Sequence, residues 1–372
     1  SQLPAVVWLV MQHSCGGAEG MLKSVNAERG PVLRCVEAPA AHASCVALAE
    51  IFSQPSSTQD TQLKITDEIL WAPRLWPVHV GYTKPSVHKC GGGLVTGGTG
   101  ALGLLMACWL KQRGTVMVTL LSRSGSTAAG AIDSWNGLAV CPERCRVCIE
   151  LCDIGNSYNE TCSMECGSAG ATDIVHSAGV LADSLLLKQT QAGLQRVWLP
   201  KADAGWRLHD VVWGRSVTQL KSFALFSSIA ALLGGAGQAN YAAANASLDS
   251  LSRARCDNGL VASSLQWGAW AGSGMAVESG VLEQLKGQGI GAVMEERGMC
   301  ALELAVNMTT GLVATGVVPI YWPVLLGAMP GEVPAFLSRF IHLRGDLASQ
   351  PPAAMEVAGQ AQLVVRGGSP EA

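Results

Sequence analysis

Residues 93–103 read Gly-Leu-Val-Thr-Gly-Gly-Thr-Gly-Ala-Leu-Gly, a glycine-rich segment between two apolar patterns from which the fold class follows. A short strand pattern ends at Thr96, and an apolar helix pattern begins at Ala101. The glycines between them let the backbone turn tightly and approach a pyrophosphate, whose charge the amides of the helix N-terminus would meet. This order of strand, loop and helix predicts a dinucleotide site. The residues expected at the cofactor are Thr96, Gly97, Thr99, Gly100, Leu102 and Gly103.

Strand patterns alternate with helical patterns along most of the chain. The strands are predicted at 93–96, 116–122, 145–153, 173–176, 223–227, 261–267 and 317–322. The helices are predicted at 102–113, 191–212, 239–256 and 295–308. Such alternation is typical of a parallel sheet that is covered by helices on both faces. The sequence therefore predicts an α/β fold, a Rossmann-like doubly wound parallel sheet.

The two ends of the chain have a different character. Strand patterns at 6–11 and 32–36 and a helix pattern at 43–52 are too few for a complete domain. We therefore predict a partial structural subdomain at 1–88, a catalytic subdomain at 89–330 and a C-terminal extension at 331–372. The tail after Leu347 is rich in Pro, Ala, Gly and Gln, which is typical of a disordered linker. Because the chain begins at Ser1 without Met, we expect a fragment of a longer protein.

The composition disfavours several classes of partner. Hydrophobic residues make up 49% of the 372 residues, charged residues make up 14%, and the net charge is −3. Without a basic run or face, the chain is not expected to bind nucleic acid or an anionic membrane. The longest apolar run, 101–110, is too short to span a bilayer, and no signal peptide is visible. Contacts with neighbouring domains or subunits suit this lean, weakly charged surface.

The 13 cysteines are odd in number and lack the spacing of a disulfide framework, which favours a reducing compartment. We expect the cytoplasm, or a plastid if the source is an alga. The densest group is Cys141, Cys145, Cys148 and Cys152, and part of it falls on a predicted strand. On such a strand Cys145 and Cys148 would point to opposite faces, which disfavours a zinc site. Small core residues are the better interpretation, and no metal is expected.

The second predicted strand ends in Leu121-Ser122-Arg123, where a Rossmann protein meets the adenosine ribose. An acidic residue at this place would favour NAD, whereas the guanidinium of Arg123 suits a 2′-phosphate. The sequence therefore favours NADPH, with Ser122 and Arg123 at the cofactor; a solvated surface arginine is the alternative. Asp153, at the end of the third strand, is assigned to the adenine or to a helix cap.

Tyr241 and Asn245 lie one turn apart in a predicted helix, so that the phenol and the amide project to the same side. The alanines between them leave room for a large group, and Ser228 lies a short loop upstream. A tyrosine in this setting is a candidate acid for protonating an oxygen. The alternative for Ser228 and Asn245 is a hydrogen bond in the core.

Five motifs together carry a resemblance to a known family. They are the glycine loop at 96–103, His176-Ser-Ala178-Gly179-Val180, Pro200-Lys201, Phe226-Ser227-Ser228 and Tyr241-Ala-Ala-Ala-Asn245. In order and spacing they resemble the ketoreductase domains of modular polyketide synthases, which belong to the short-chain dehydrogenase/reductase superfamily. The resemblance implies that residues 1–88 are part of the truncated, non-catalytic subdomain of that family.

The resemblance also implies the catalytic groups. Most short-chain dehydrogenases carry Tyr-x-x-x-Lys, and Asn245 stands where that lysine would be. In the polyketide enzymes an earlier helix supplies the lysine, and Lys201 matches it; an exposed helical lysine is the alternative. The implied roles are Tyr241 as proton donor, Ser228 at the carbonyl, Lys201 as the cation that favours the phenolate, and Asn245 in a proton relay through a water or Lys201. Ala178, Lys201 and Tyr241 are also expected at the cofactor.

Two places mark the stereochemical type in this family. Leu181-Ala182-Asp183 resembles the Leu-Asp-Asp signature of B-type domains and keeps its last residue, although the middle one differs. Leu233 stands where A-type domains carry Trp. The resemblance therefore implies a B-type enzyme, whose product has a D-configured hydroxyl.

The implied function is the NADPH-dependent reduction of a β-ketoacyl thioester on acyl carrier protein, in polyketide or fatty acid assembly, beside neighbouring synthase domains. Gln238 and Trp270 are expected at the substrate, and residues 272–288, rich in glycine and small residues, are expected to form a mobile lid. The alternatives are a reductase-inactive structural or epimerising domain and a stand-alone short-chain reductase.

Overall fold

The computed structural model describes most of the predicted elements. The described residues are 7–11, 16–29, 33–37, 62–66, 69–78, 91–127, 135–136, 138, 145–155, 170–214, 220–272, 281–307, 313–329, 333–344 and 362–370. The helix predicted at 43–52 lies outside them.

The strands form one 12-stranded sheet. They are β1 (Val7–Met11), β2 (Leu33–Glu37), β3 (Gln62–Thr66), β4 (Ile69–Val78), β5 (Gly92–Thr96), β6 (Met117–Ser122), β7 (Arg146–Leu151), β8 (Ala171–His176), β9 (Ser222–Ser228), β10 (Ser263–Trp267), β11 (Ala314–Val318) and β12 (Gln362–Pro370). Their order across the sheet is β1-β2-β3-β4-β12-β11-β10-β9-β8-β5-β6-β7.

The strands from β5 to β11 are all parallel to their neighbours within that group. This arrangement confirms the predicted doubly wound α/β sheet. The chain order reverses at β5, which pairs with β6 on one side and with β8 on the other. The carboxyl ends of β5 and β8 therefore border the crevice in which sheets of this type bind their ligands.

The described α-helices include those predicted at 102–113, 191–212, 239–256 and 295–308, and several that were not predicted. They are α1 (Gly16–Arg29), α2 (Ala101–Gln112), α3 (Gln191–Trp198), α4 (Ala204–Gly214), α5 (Ile229–Leu233), α6 (Ala239–Asp257), α7 (Leu282–Gly287), α8 (Glu295–Asn307) and α9 (Trp322–Ala328). A π-helical turn, Leu199–Asp203, joins α3 to α4 inside the predicted helix 191–212. Among the described residues, no helix has the length and apolar character needed to cross a membrane.

Neighbouring side chains of the central strands belong to two different cores. Val95 and Leu120 pack in the cluster that contains residues of α2 and α8, whereas Leu94 and Leu121 pack in the cluster that contains residues of α4 and α6. Both sheet faces are thus buried, which explains why these strands are apolar throughout rather than alternating. Complete burial of one such leucine contributes about 1.5–3 kcal/mol.

The last parallel strand lies earlier than predicted. Residues 317–322 were predicted to be a strand, but β11 occupies Ala314–Val318 and α9 begins at Trp322. Pro319 cannot donate a ladder hydrogen bond, and Pro323 falls in the first turn of α9, where a missing N–H costs least. The apolar character of 317–322 therefore belongs to a strand end and a helix start.

The prediction of disorder after Leu347 is wrong for Gln362–Pro370. This segment is β12, which pairs antiparallel with β11 on one side and with β4 on the other. Its sequence begins Gln-Leu-Val-Val, a short apolar and β-branched run that the Pro, Ala and Gly content of the whole tail conceals. Through β12, the strands of the first 78 residues join the parallel sheet.

Helix α1 packs closely along α6. A Cβ atom at Gly20 would overlap the backbone of Ala242, and one at Gly17 would lie 2.8 Å from the ring of Trp198. The absence of a side chain at Gly20 therefore permits α1 to approach α6, and the absence of one at Gly17 permits α1 to approach Trp198 on α3. The first segment of the chain thus lies directly against the helix that carries Tyr241.

A buried ion pair anchors the far end of α2. The Arg113 guanidinium lies 2.7 Å from the Glu303 carboxylate on α8, and the two side chains are 5% and 2% exposed. Trp109 Nε1 and Asn307 Nδ2 also donate to that carboxylate. Removing one partner of such a pair leaves an uncompensated buried charge.

We expect Glu303→Ala to lower the free energy of unfolding by about 3–5 kcal/mol, because the Arg113 charge loses its partner. Glu296→Ala is the matched control, since Glu296 is exposed on the same helix. Urea unfolding of both variants, followed by circular dichroism, measures the difference. Equal losses in the two variants would contradict a structural role for the pair.

Candidate active site

The glycine loop between β5 and α2 leaves its backbone open. Gly97 has a φ of +63°, and a Cβ at this residue would lie 2.9 Å from Ala178 Cα. A Cβ at Gly103 would overlap the Gly97 carbonyl. The turn is closed by the Gly100 amide, which donates to the Gly97 carbonyl at 3.0 Å. Glycine is therefore required at 97 and 103, both for the turn and for the packing of α2 against it.

A cavity of about 310 Å³ lies over this loop at the carboxyl ends of the strands. It brings together most of the residues that the sequence assigned to the cofactor. They are Gly97, Thr99, Gly100, Leu102, Gly103, Ser122, Arg123, Asp153 and Ala178. Thr96 does not line it, because its side chain is buried beneath the loop and contacts His176.

Hydrogen bonds between polar groups hold the residues that line this cavity in place. Thr99 Oγ1 lies 2.6 Å from Ser122 Oγ, which also accepts from the Gly125 amide at 3.1 Å. Arg123 is exposed at the edge of the cavity. Asp153 Oδ1 accepts from the Gly155 amide at 3.1 Å, so this carboxylate stabilises its own turn and still faces the cavity.

His176 lies in one of the motifs that carry the family resemblance, but no role was predicted for it. Its ring is fully buried, with Nδ1 2.7 Å from Thr96 Oγ1 and Nε2 2.8 Å from the Lys201 carbonyl. Because a carbonyl only accepts, Nε2 carries the proton and Nδ1 accepts from Thr96. The pKa of His176 is lowered to about 4, mainly by burial and also by the charge of Lys201, while the hydrogen bond to the Lys201 carbonyl acts in the opposite direction. A neutral histidine thus ties β5 and β8 to the π turn.

The π turn positions Lys201. Pro200 has no N–H and interrupts the α-helical ladder at this turn, and π turns inside helices are frequent at functional sites. The Lys201 side chain is 3% exposed, and its ammonium donates to the Phe226 carbonyl at 2.7 Å. Burial lowers the pKa of Lys201 to about 8, while the Asp249 carboxylate acts in the opposite direction. The predicted alternative, an exposed helical lysine, is wrong.

Tyr241 lies close to this cation. Lys201 Nζ is 5.7 Å from the centroid of the Tyr241 ring. Burial raises the pKa of Tyr241, and its hydrogen bonds with the Ser228 and Asn245 side chains lower it. Ser228, the last residue of β9, caps α5 and accepts from the Ala230 amide at 3.2 Å. The phenol is thereby kept protonated beside two polar groups and an ammonium.

Asn245 is completely buried one turn after Tyr241, as its spacing predicted. Its Nδ2 donates to the Tyr241 carbonyl at 2.8 Å. Its Oδ1 has no hydrogen-bond partner among the described residues. An unpaired buried acceptor costs about 1–3 kcal/mol, so a donor such as a water molecule would be bound strongly at this atom.

Asp249, two turns after Tyr241 on α6, is a second residue that the sequence did not assign. Its carboxylate accepts from Ser264 Oγ at 2.6 Å and from Gln266 Nε2 at 2.8 Å, both on β10. Burial raises the pKa of Asp249, and these hydrogen bonds lower it. A helical spacing of eight residues from Tyr241 was the available sequence signal, since i and i+8 lie near one face.

A second cavity, of about 370 Å³, adjoins the first and shares Leu102 and Ser177 with it. It brings together the catalytic candidates other than Asn245 and all the residues assigned to the substrate. They are Lys201, Ser228, Tyr241, Asp183, Leu233, Gln238 and Trp270. Lys201 and Tyr241, also expected at the cofactor, therefore face the second cavity and not the one over the glycine loop.

The predicted lid is described only in its second half, since residues 273–280 lie outside the described ranges. Residues 282–287 form α7, from which Gln284 and Leu285 reach the second cavity. On the opposite rim, Gln238 Nε2 donates to Asp183 Oδ2 at 3.0 Å. The described groups hold no cluster of three potential metal ligands.

Comparisons with known proteins agree with this geometry. Residues 91–272 match the family model described as "KR domain". The spectinabilin polyketide synthase system protein NorB of Streptomyces orinoci is 39% identical over 233 residues, 59% of this chain and 10% of that protein. The erythronolide synthase EryA2 of Saccharopolyspora erythraea is 35% identical over 237 residues, 62% of this chain and 6% of that protein.

A solved structure of an A1-type ketoreductase is 27% identical, with a TM-score of 0.79 over 92% of this chain and 75% of its own. A parallel sheet with a glycine loop at its switch point is typical of a Rossmann-type α/β fold. Within that class, residues 91–272 are a KR domain, and the similarity to a ketoreductase structure extends over 92% of the chain. It spans only a small part of the curated relatives that it matches.

The depressed pKa of Lys201 makes a prediction about stability. The unfolded chain keeps this amine protonated up to its ordinary pKa of 10.5, whereas the folded chain releases the proton near pH 8. Between these values the unfolded state binds more protons, so the contribution of Lys201 to stability rises with pH. In Lys201→Met this titration is absent.

We therefore expect the stability of the wild type, relative to Lys201→Met, to rise by up to about 3 kcal/mol from pH 8 to 10.5. Urea unfolding of both proteins at several pH values measures this difference. Parallel stability profiles would show that the amine of Lys201 is not desolvated.

Proposed function

We propose that this chain reduces a β-ketoacyl thioester, presented by an acyl carrier protein, to the β-hydroxyacyl thioester with NADPH. The observation that carries the proposal is the second cavity. Tyr241, Ser228 and Lys201 line this cavity next to the one over the glycine loop, and its volume of about 370 Å³ leaves room for an acyl group. A ketone whose oxygen lies at these groups would have its carbon near the shared wall of the two cavities.

The residues of the first cavity fit a dinucleotide phosphate. The missing side chains of Gly97 and Gly103 leave the loop backbone accessible, and α2 begins directly behind it. Arg123 at the edge would pair with a 2′-phosphate, since no acidic residue stands beside Ser122 to reject one. When bound, NADPH supplies the hydride that the ketone carbon receives.

Side chains of the second cavity would stabilise and neutralise the negative charge that develops on the ketone oxygen. The Ser228 hydroxyl donates to this oxygen, and Tyr241 transfers its phenolic proton to it. Burial keeps the pKa of Tyr241 raised, so the tyrosine starts the reaction as an acid. The Lys201 ammonium then stabilises the phenolate that remains. Asn245 Oδ1 would hold the water that returns a proton to this site, because this oxygen has no partner among the described residues, whereas Nδ2 donates to the Tyr241 carbonyl.

The proposal of a B-type product is based on the residues that line the second cavity. Asp183 lines the cavity and accepts from Gln238, while Leu233 occupies the place of the A-type tryptophan. These contacts favour one orientation of the acyl chain, and with it a D-configured hydroxyl. The length of the matched relatives supports substrate delivery by a carrier protein and contact with neighbouring synthase domains, in polyketide rather than fatty acid assembly.

We expect Tyr241→Phe to lower kcat by about 100-fold or more, because the proton donor is lost, while NADPH still binds. Tyr321→Phe makes the same chemical change outside both cavities and serves as the control. The assay follows NADPH absorbance with a 3-oxoacyl thioester of N-acetylcysteamine, and nucleotide fluorescence reports binding. A wild type that binds NADPH without oxidising it would instead support the reductase-inactive alternative.

We expect Arg123→Ala to raise the KM for NADPH by about 10- to 100-fold and to leave the KM for NADH unchanged, since only the 2′-phosphate loses a partner. Arg146→Ala is the control, because Arg146 is exposed at the opposite end of the neighbouring strand β7. Steady-state kinetics with both nucleotides measure the ratio. An equal loss for NADH would remove the basis for assigning NADPH from Arg123.

A further inference from the structure

Glu28, near the end of α1, lies outside the KR domain but reaches the rim of the second cavity. One carboxylate oxygen accepts from the Gly237 amide at 2.9 Å, and the other accepts from the Leu186 amide at 3.1 Å. Hydrogen bonds from amides to an ionised carboxylate are stronger than neutral ones. Glu28 therefore bridges two backbone segments that are distant from each other in sequence.

These two segments carry the side chains that face the acyl space. Leu186 follows Asp183 by three residues, and Gly237 directly precedes Gln238. The segments also bond to each other, since the Ser184 amide donates to the Gly237 carbonyl at 2.8 Å. The Asp183–Gln238 hydrogen bond thus joins the same two segments that the Glu28 carboxylate bridges.

Other side chains of α1 hold the same turn. Lys23 Nζ donates to the Ala231 carbonyl at 2.6 Å, and Ser24 Oγ accepts from the Gly235 amide at 3.4 Å. Gly237 has a φ of +79° and no side chain that could fix its own conformation. The turn between α5 and α6 therefore takes its shape from groups on α1.

We propose that Glu28 is a positioning residue for the reaction: it fixes the relative placement of Asp183 and Gln238 and so sets the affinity for the acyl chain and the configuration of the product hydroxyl. The inference rests on the proposed reductase function. Glu28 touches neither substrate nor cofactor, and its effect passes through the two backbone amides.

Hydrogen exchange tests the bridge without requiring activity. In Glu28→Ala, the amides of Leu186 and Gly237 lose their acceptor, and we expect their exchange in the intact chain to rise by about tenfold or more. Glu28→Gln keeps the shape and one good acceptor, and we expect an intermediate rise that excludes a folding defect as the cause. Met21→Ala, at an exposed position of the same helix, is the control and should leave both amides unchanged.

Kinetics test the consequence. With a 3-oxoacyl thioester of N-acetylcysteamine, we expect Glu28→Ala to raise the thioester KM by about tenfold, because the Asp183–Gln238 contact loses its support. The KM for NADPH should stay unchanged, and chiral chromatography should show a loss of enantiomeric excess. Adding Glu28→Ala to Gln238→Ala should cause little further change, since both act through one contact.

The exchange and kinetic experiments distinguish failure of the reductase function from failure of the positioning role of Glu28. A wild type that reduces no thioester overturns the reductase function, while exchange at Leu186 and Gly237 still shows whether Glu28 holds these segments. Faster exchange with wild-type thioester KM and product configuration overturns the positioning role. So does a Glu28→Ala variant that matches Met21→Ala in every measurement.

Discussion

The Lys201 side chain is almost completely buried beside the second cavity, and its neighbours hold the ammonium in place. Its own backbone carbonyl is held by a neutral His176, its amine is held by the Phe226 carbonyl, and the Asp249 carboxylate opposes loss of its proton. Such a cation is costly to bury, but in a dry site its field acts on the Tyr241 phenol with little screening. The π turn, the switch point of the sheet and helix α6 all lie next to the Lys201 side chain.

The sequence carried the parts of the fold that depend on local pattern. The glycine loop, the alternation of strands and helices, and the Tyr241 and Asn245 pair could be read directly, because each is specified within about a dozen residues. Lys201 could be assigned only through a family resemblance, since nothing local distinguishes it from an exposed lysine. The tautomer of His176 and the hydrogen bonds of Asp249 depend on contacts across the sheet, which no local pattern encodes.

The C-terminal segment also shows that local sequence alone does not determine the structure. The average composition of the tail after Leu347 predicted disorder. A strand, however, needs only a few apolar residues and neighbouring strands whose backbone N–H and C=O groups are still unpaired. β4 and β11 offer those neighbours, and β12 fills the space between them. Long-range pairing thus decided the state of a segment whose own sequence was ambiguous. The position of β11 was also missed because prolines near its end, rather than the apolar run itself, set its limits.

The close packing of α1 on α6 has a consequence for recombining such domains. The contact between Gly20 and Ala242 has no room for another methyl group, and α1 continues from it to the turn in front of Gln238. A chimaera joined near residue 89 would bring a foreign helix against a surface shaped for this one. An exchange that keeps residues 16–29 together with the KR domain would preserve the fit. The segment that must be exchanged as a whole to preserve the active site is therefore larger than the domain that contains the catalytic groups.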